Sequence, residues 1–275
     1  MLCTLREVLA NAEKHRYAVG LFNTVNFEMA RGVLAAAEET RSPVIIGTAE
    51  ILLPYGPMEQ LASLLVPMAK NASVPVVVHY DHGLTAERVV QAMTLGFSSV
   101  MYDCSTVDYD ENVRRCRQMA EIAHTFGGSI EAELGHVGAN AGGDLSIYTD
   151  PDEARNFVAQ TGVDALAVAI GTAHGAYADQ PKLDIGRLHE LYEAVDAPLV
   201  LHGGSGLSDE DFRRCIENGI RKINIFTDIN NAAARAAAEG YREGLGMTDL
   251  IPAITEAVKQ ETVRKMKLFG CTGQA

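Results

Sequence analysis

Three histidines in this 275-residue sequence share a setting: each closely follows a run of β-forming residues, and each is followed by glycine. They lie in Tyr80-Asp81-His82-Gly83, Gly171-Thr-Ala-His174-Gly175 and Leu201-His202-Gly203-Gly204-Ser205-Gly206. Three neutral imidazoles with a fourth position left open make a catalytic zinc-type site, and the glycines let backbone and substrate approach closely. Other polar groups occupy comparable places: Asn23, Thr48, Asp81, Asp103, Glu133, Asn224 and Thr227. One polar residue where a strand meets a loop is commonly structural. When every predicted strand delivers one, a shared functional face follows. The remaining histidines, His15, His79, His124, His136 and His189, read mostly as helix-borne, solvated or packed residues, with His136 in a loop as the exception.

Bringing these groups together requires a particular kind of sheet. Short β-rich runs recur at intervals of roughly 25 to 35 residues, each followed by a helical stretch, and that alternation demands parallel strands. The runs are residues 18–23, 43–48, 74–81, 99–103, 129–134, 165–170, 197–202 and 222–226. Unbroken apolar stretches such as Val76-Val77-Val78 suit strands covered on both faces. Between them, Met29, Val33, Leu34 and Ala37, and then Met58, Leu61, Leu65 and Met68, fall at helical spacing. Thr149-Asp-Pro-Asp-Glu and Ser208-Asp-Glu-Asp mark helix starts by a capping residue with acids behind it. Two further helices are expected over 229–243 and 248–268.

The length is close to the roughly 250 residues typical of one α/β barrel, and no polar or Pro/Ser-rich linker divides the chain. The expectation is one domain over 1–275, a (β/α)8 TIM barrel with a short C-terminal helical extension. An open doubly wound sheet also alternates strand and helix, but no G-x-G-x-x-G follows the first strand and no Walker-type phosphate loop occurs. In a barrel the C-terminal strand ends carry the chemistry, and the polar groups above fall there.

A net charge of −13 argues against a surface built to neutralise nucleic-acid phosphates. An anionic small molecule must then be met by local dipoles. The glycine-rich turn Gly203-Gly204-Ser205-Gly206 and the segment Asn224-Ile-Phe-Thr227-Asp228 offer backbone N–H groups and a helix N-terminus, with plain connecting loops as the alternative. Five cysteines (Cys3, Cys104, Cys116, Cys215, Cys271) form no C-x-x-C pair and read as reduced thiols. With no basic-then-apolar leader and no apolar run near the roughly 18 residues that span a bilayer, a soluble, cytoplasmic protein without a membrane partner is expected. Apolar positions Val258, Val263, Met266 and Leu268 suggest a homo-oligomer, dimer or tetramer, although a helix packed on its own barrel gives the same pattern.

At these motifs the chain resembles the class II, zinc-dependent ketose-bisphosphate aldolases, the family of the fructose- and tagatose-bisphosphate enzymes. The resemblance spans nearly the whole chain. It is carried by Phe22-Asn23, Asp81-His82-Gly83, Asp103-Cys-Ser105, Glu131-Ala-Glu133-Leu-Gly135, Ala167-Val-Ala-Ile-Gly171-Thr-Ala-His174-Gly175, Leu201-His202-Gly-Gly-Ser205 and Lys222-Ile-Asn224-Ile-Phe-Thr227. It implies a carbon–carbon lyase that cleaves a phosphorylated ketose into dihydroxyacetone phosphate and an aldehyde. His82, His174 and His202 would bind zinc, with cobalt, manganese or iron able to substitute, and Asp81 would be the catalytic acid/base. Asp103 and Glu133 would form a secondary metal position. Gly175, Gly203, Gly204, Ser205, Asn224 and Thr227 would hold the phosphate, with Asn23 and Thr48 reaching the sugar. A monovalent cation, sodium or potassium, would sit beside these loops on carbonyls such as those of Gly175 and Gly203.

Departures from the family pattern bear on substrate choice. Relatives usually carry a longer loop after Gly135 with an acidic residue that helps move the C3 proton. Here residues 136–144 are short and hold only Asp144, which leaves the proton carrier unassigned and points to 140–144 and Thr48 for aldehyde preference. Phe226 stands where some fructose-specific relatives have a polar residue, and Arg264 is the one candidate for a second phosphate. Other readings are an aldolase for a different ketose phosphate, a metallohydrolase barrel and a non-catalytic sugar-phosphate-binding subunit. The hydrolase would want an early H-x-H pair, which is absent. A Schiff-base aldolase would want a lysine at a strand's C-terminal end, whereas Lys222 opens the last strand.

Overall fold

The structure, a computed structural model, describes residues 1–138, 148–175, 177 and 180–275. A two-residue strand β1 (Leu2–Cys3) comes first. Eight parallel strands then pair in chain order: β2 (Val19–Asn23), β3 (Val44–Ala49), β4 (Val76–Gly83), β5 (Ser99–Tyr102), β6 (Ser129–Leu134), β7 (Ala165–Val168), β8 (Leu199–Leu201) and β9 (Ile220–Ile225). Because β9 pairs back onto β2, with Val19 opposite Lys222, the sheet closes into the expected barrel. All eight predicted strands are present. β1 was not anticipated. It covers the first part of β4, with Leu2 opposite Val76, below the point where β5 joins at His79.

Every residue of β2, β3, β6 and β9 is buried, as strands covered on both faces must be. Successive side chains alternate. On β4 the apolar Val76, Val78 and Tyr80 join the hydrophobic core, while His79 and Asp81 belong to a polar set inside the barrel. Helices α1 (Leu5–His15), α2 (Phe27–Thr40), α3 (Met58–Asn71), α4 (Ala86–Thr94), α5 (Tyr109–Thr125), α6 (Pro151–Thr161), α7 (Ile185–Ala194) and α8 (Asp209–Glu217) follow in turn. Their starts bear out the capping logic. Ser208 accepts from Asp211 N, and Asp150, ahead of Pro151, accepts from Asp152 N and Glu153 N. Thr149 instead ties strand ends together, donating to Leu134 O and accepting from Ala169 N.

Two helices close the chain, α9 (Thr227–Gly240) and α10 (Met247–Leu268). α10 is the expected C-terminal extension and matches the helix expected over 248–268. It packs against α2 at Gly32, where a Cβ would come 2.7 Å from Thr255 O and 2.8 Å from Val258 Cβ. Val258, Val263 and Met266 are buried in that contact and the core behind it. The apolar stripe that suggested an oligomer is therefore already covered within this chain. The five cysteines are free thiols, as expected, and no helix among the described residues is long and apolar enough to cross a membrane.

Candidate active site

The C-terminal strand ends open into a cavity of about 900 Å3. Asn23, Asp81, His82, Asp103, His136, His174, Gly175, Gly203, Gly204, Ser205, Asn224 and Thr227 all reach its wall. Strict alternation would send the neighbours Asp81 and His82 to opposite faces of β4. A register irregularity between Tyr80 and Gly83, with His82 in the left-handed region at φ 48°, turns both into the cavity.

The three histidines converge. His82 Nε2 lies 3.1 Å from His174 Nε2 and 2.8 Å from His202 Nδ1. Each ring's other nitrogen has an acceptor within hydrogen-bond distance, and His202 Nε2 also lies 3.4 Å from the Asn224 amide nitrogen. His82 Nδ1 donates to Asp103 Oδ2 (2.7 Å), His174 Nδ1 to Val137 O (3.2 Å) and His202 Nε2 to Glu131 Oε1 (2.9 Å). Those partners favour the tautomers in which the remaining ring nitrogens turn toward one another, an arrangement that leaves room between them for one shared proton or one metal ion. That arrangement fits a divalent metal held by three imidazoles, and the partners on the far nitrogens are the supports such ligands use.

Electrostatics agree with the geometry. Burial works against charge on His82, yet Asp81, Asp103 and Glu133 raise its pKa to about 10. Burial and the neighbouring His82 lower His174 to about 3. The carboxylates thus demand one positive charge at the centre of the trio, supplied by a proton or by a metal ion. Against burial, the charges of His82, Lys222 and His202 hold Asp81 far below the usual carboxylate range. Asp81 is anchored by Asn23 Nδ2 (2.7 Å) and Asn224 Nδ2 (3.1 Å), both donating.

A second group, His82, Asp103 and Glu133, could also hold an ion. Glu133 accepts from Val137 N (3.0 Å), and burial together with Asp103 pushes its pKa up to about 8. On the opposite side of the trio, Ser205 Oγ accepts from Phe226 N (3.2 Å) and Asp228 N (3.4 Å) at the start of α9. Gly203 has φ 65°, and a Cβ there would lie 2.3 Å from Ala173 O, so this turn requires glycine. Tyr177 staples the two glycine loops, accepting from Ala173 N (2.9 Å) and donating to Gly203 O (2.8 Å), the carbonyl expected to face a monovalent cation.

Not every expected residue arrives where it was placed. Thr48 is fully buried, is not part of the cavity wall, and its Oγ1 has no hydrogen-bond partner. Asn224 turns its amide to Asp81 and its Oδ1 to Lys222 Nζ (2.7 Å). Arg264 pairs with Asp209 (3.1 Å) and Glu261 (2.7 Å) and does not line the cavity. Residues 140–144, with Asp144, lie outside the described residues.

The interior also holds groups that sequence reasoning passed over. Glu131 joins His202 to Lys222 Nζ (2.9 Å), all three fully buried, and the buried strand residue His79, set among helix histidines above, pairs with Ser99 Oγ (2.8 Å). Alternation along Glu131-Ala-Glu133 was the available signal, since it puts both carboxylates on one face.

Comparison with known proteins agrees with this geometry. The sequence model of "Fructose-bisphosphate aldolase class-II" matches residues 3–274. The crystal structure of the YdjI aldolase from Escherichia coli K12 superposes with a TM-score of 0.92 at 40% identity, covering 100% of both chains. Fructose-bisphosphate aldolases from Geobacillus stearothermophilus (38% identity, 100% of this chain and 99% of that protein) and Thermus caldophilus (40% identity, 100% of both) match along their lengths. The chain belongs to the class II fructose-bisphosphate aldolase family and is an aldolase, a carbon–carbon lyase.

Proposed function

We propose that this enzyme reversibly cleaves a phosphorylated ketose into dihydroxyacetone phosphate and an aldehyde, using a divalent metal held by His82, His174 and His202. The observation that carries the reading is the convergence of three imidazole nitrogens beside Asp81, each with an acceptor on the ring's other nitrogen. Zinc suits three neutral imidazoles, and cobalt, manganese or iron can substitute in an open site. When bound, the ion polarises the ketose carbonyl and favours the charge that develops as the C3–C4 bond breaks.

Asp81 takes the C4 hydroxyl proton in cleavage and returns it to the aldehyde oxygen in condensation. Its carboxylate is ionised and directed by the Asn23 and Asn224 amides, so it is ready to accept that proton and, being acidic, to release it again. Gly175, Gly203, Gly204, Ser205 and Thr227 surround the phosphate, which meets backbone N–H groups and the positive end of α9 rather than a basic side chain. Asp103 orients His82, and with Glu133 it offers a second position for the ion.

The test is to strip the protein with a chelator, assay retro-aldol cleavage of ketose phosphates, and restore zinc. Cleavage should vanish and return as one equivalent binds. Full activity in a rigorously metal-free preparation would overturn the proposal.

A further inference from the structure

The cavity has two unlike walls, and strand order sets them apart. The connections after β7, β8 and β9 supply Gly175, Gly203 to Ser205, and the start of α9. The connections after β3 and β4 stand four strands away around the eight-strand ring, facing those after β7 and β8. There Ile51, Leu52, Tyr55 and Leu84 line the cavity, with Ile51 80%, Tyr55 76% and Leu84 61% exposed. Large apolar side chains gathered at the mouth of a polar site mark a surface that a ligand covers.

Charge is equally one-sided. No lysine or arginine is among the described residues that line the cavity, and residues 139–147, 176, 178 and 179 contain neither type in their sequence. Two arginines on the neighbouring helices are turned to other partners: Arg31 lies 5.3 Å from the centre of the Phe27 ring, and Arg88 donates to Gln91 (2.9 Å). Negative charge is present instead, since Glu50 Oε2 accepts from Leu84 N (2.7 Å) and from the Tyr80 hydroxyl (3.0 Å).

We propose that this wall selects an aldehyde half without a phosphate, so that the substrate is a ketose monophosphate whose single phosphate lies at the glycine loops. The proposal rests on the aldolase reading above. A second phosphate dianion would be set against aliphatic carbon, with no lysine or arginine among the described wall residues to pair with it and the Glu50 carboxylate held beside Leu84, and taking such a charge out of water unpaired is strongly unfavourable. The carbon chain of an uncharged aldehyde covers Ile51 and Leu84, and the Tyr55 hydroxyl can donate to or accept from a sugar hydroxyl. Specificity thus comes both from the fit to one partner and from rejection of its phosphorylated counterpart.

The experiment measures kcat/KM of the metal-loaded enzyme for fructose and tagatose 1-phosphates and for the corresponding 1,6-bisphosphates, in the natural protein and in Leu84→Arg. Ile51→Arg serves as a second variant, both positions being exposed enough to accept the change. Solvent exchange at C3 of dihydroxyacetone phosphate is followed on the same samples and reports the triose half alone. The monophosphates should be preferred by about tenfold or more, and either arginine should move the ratio toward the bisphosphates by on the order of tenfold. A bisphosphate preference in the natural protein, with C3 exchange intact, overturns the assignment of this wall and leaves the aldolase reading standing. Absence of both exchange and cleavage overturns the aldolase reading and this proposal with it.

Discussion

The inside of the barrel and the layer between its strands and helices are built on opposite rules. The outer layer is largely apolar: Val258, Val263 and Met266 of α10 are buried over α2 and the strands, with the Thr40 hydroxyl donating to the Met266 sulfur (3.3 Å) as a polar contact within it. Such packing tolerates exchange among apolar residues of similar size. Inside, His79, Glu131, Lys222 and His202 are equally buried, but each is held by a specific donor or acceptor. A buried polar group left without its partner costs far more than the bond contributes when made, so interior identities are restricted atom by atom. Stability can be redistributed in the outer layer, whereas the interior admits few alternatives.

The contrast can be broken most severely at His202. His202→Ala removes one of three convergent nitrogens, and metal content, ketose cleavage and C3 exchange should all be lost together while the fold persists by circular dichroism. Retained stoichiometric metal would show that His202 is no ligand. Next in size is a conservative change inside the barrel. Glu131→Gln keeps the volume but removes the charge that orients His202 and neutralises Lys222, and metal affinity should fall roughly 10- to 100-fold in a competition titration. Unchanged affinity would place Glu131 outside the machinery.

Outer-layer changes should behave in the reverse manner. Met266→Ala should lower stability by about 2 to 5 kcal/mol in chemical denaturation with metal affinity retained, and Met266→Leu by less than about 1.5 kcal/mol. If Met266→Leu disturbed metal binding as much as Glu131→Gln, the two regions would not be separable. The smallest effect concerns α1, where the Thr4 backbone N–H and hydroxyl both donate to Glu7 and lower its pKa from the ordinary 4.5. A depressed folded value means that the carboxylate's stabilisation is fully present above the ordinary 4.5 and is lost as pH falls from there through the lower folded value. Glu7→Gln should therefore lower Tm slightly at neutral pH and converge on the natural protein in acid. A Tm gap that widened in acid would contradict the assignment.

How far the sequence discloses all this follows the same division. The barrel was legible because its signal is repeated: short β-rich runs recur along the chain, some with unbroken apolar stretches such as Val76-Val77-Val78, and caps such as Ser208 are local. β1 escaped because two residues cannot display a period, and it forms only against the uncovered start of β4. The histidine trio was visible through its His-Gly contexts. The roles of Glu131 and Lys222 were not, because a lysine within a strand gains its meaning only from a carboxylate 91 residues away. The irregularity that turns Asp81 and His82 to the same side is likewise set by pairing between strands. The apolar wall at Ile51, Tyr55 and Leu84 was missed because attention to polar residues passes over the carbon that shapes a substrate's other half.

In the proposed reaction the metal trio serves the triose half and Asp81 serves the C4 oxygen. Asp81→Asn tests it most directly, because the amide keeps the size of the side chain beside His82 while removing its capacity to carry the proton. Metal occupancy, ketose cleavage and C3 proton exchange are measured on the same samples. Metal should be retained, cleavage should fall on the order of 10²- to 10⁴-fold, and exchange should survive far better, since it requires no chemistry at C4. Equal loss of cleavage and exchange in a metal-replete Asp81→Asn protein would contradict the claim and reassign the proton transfer to another group.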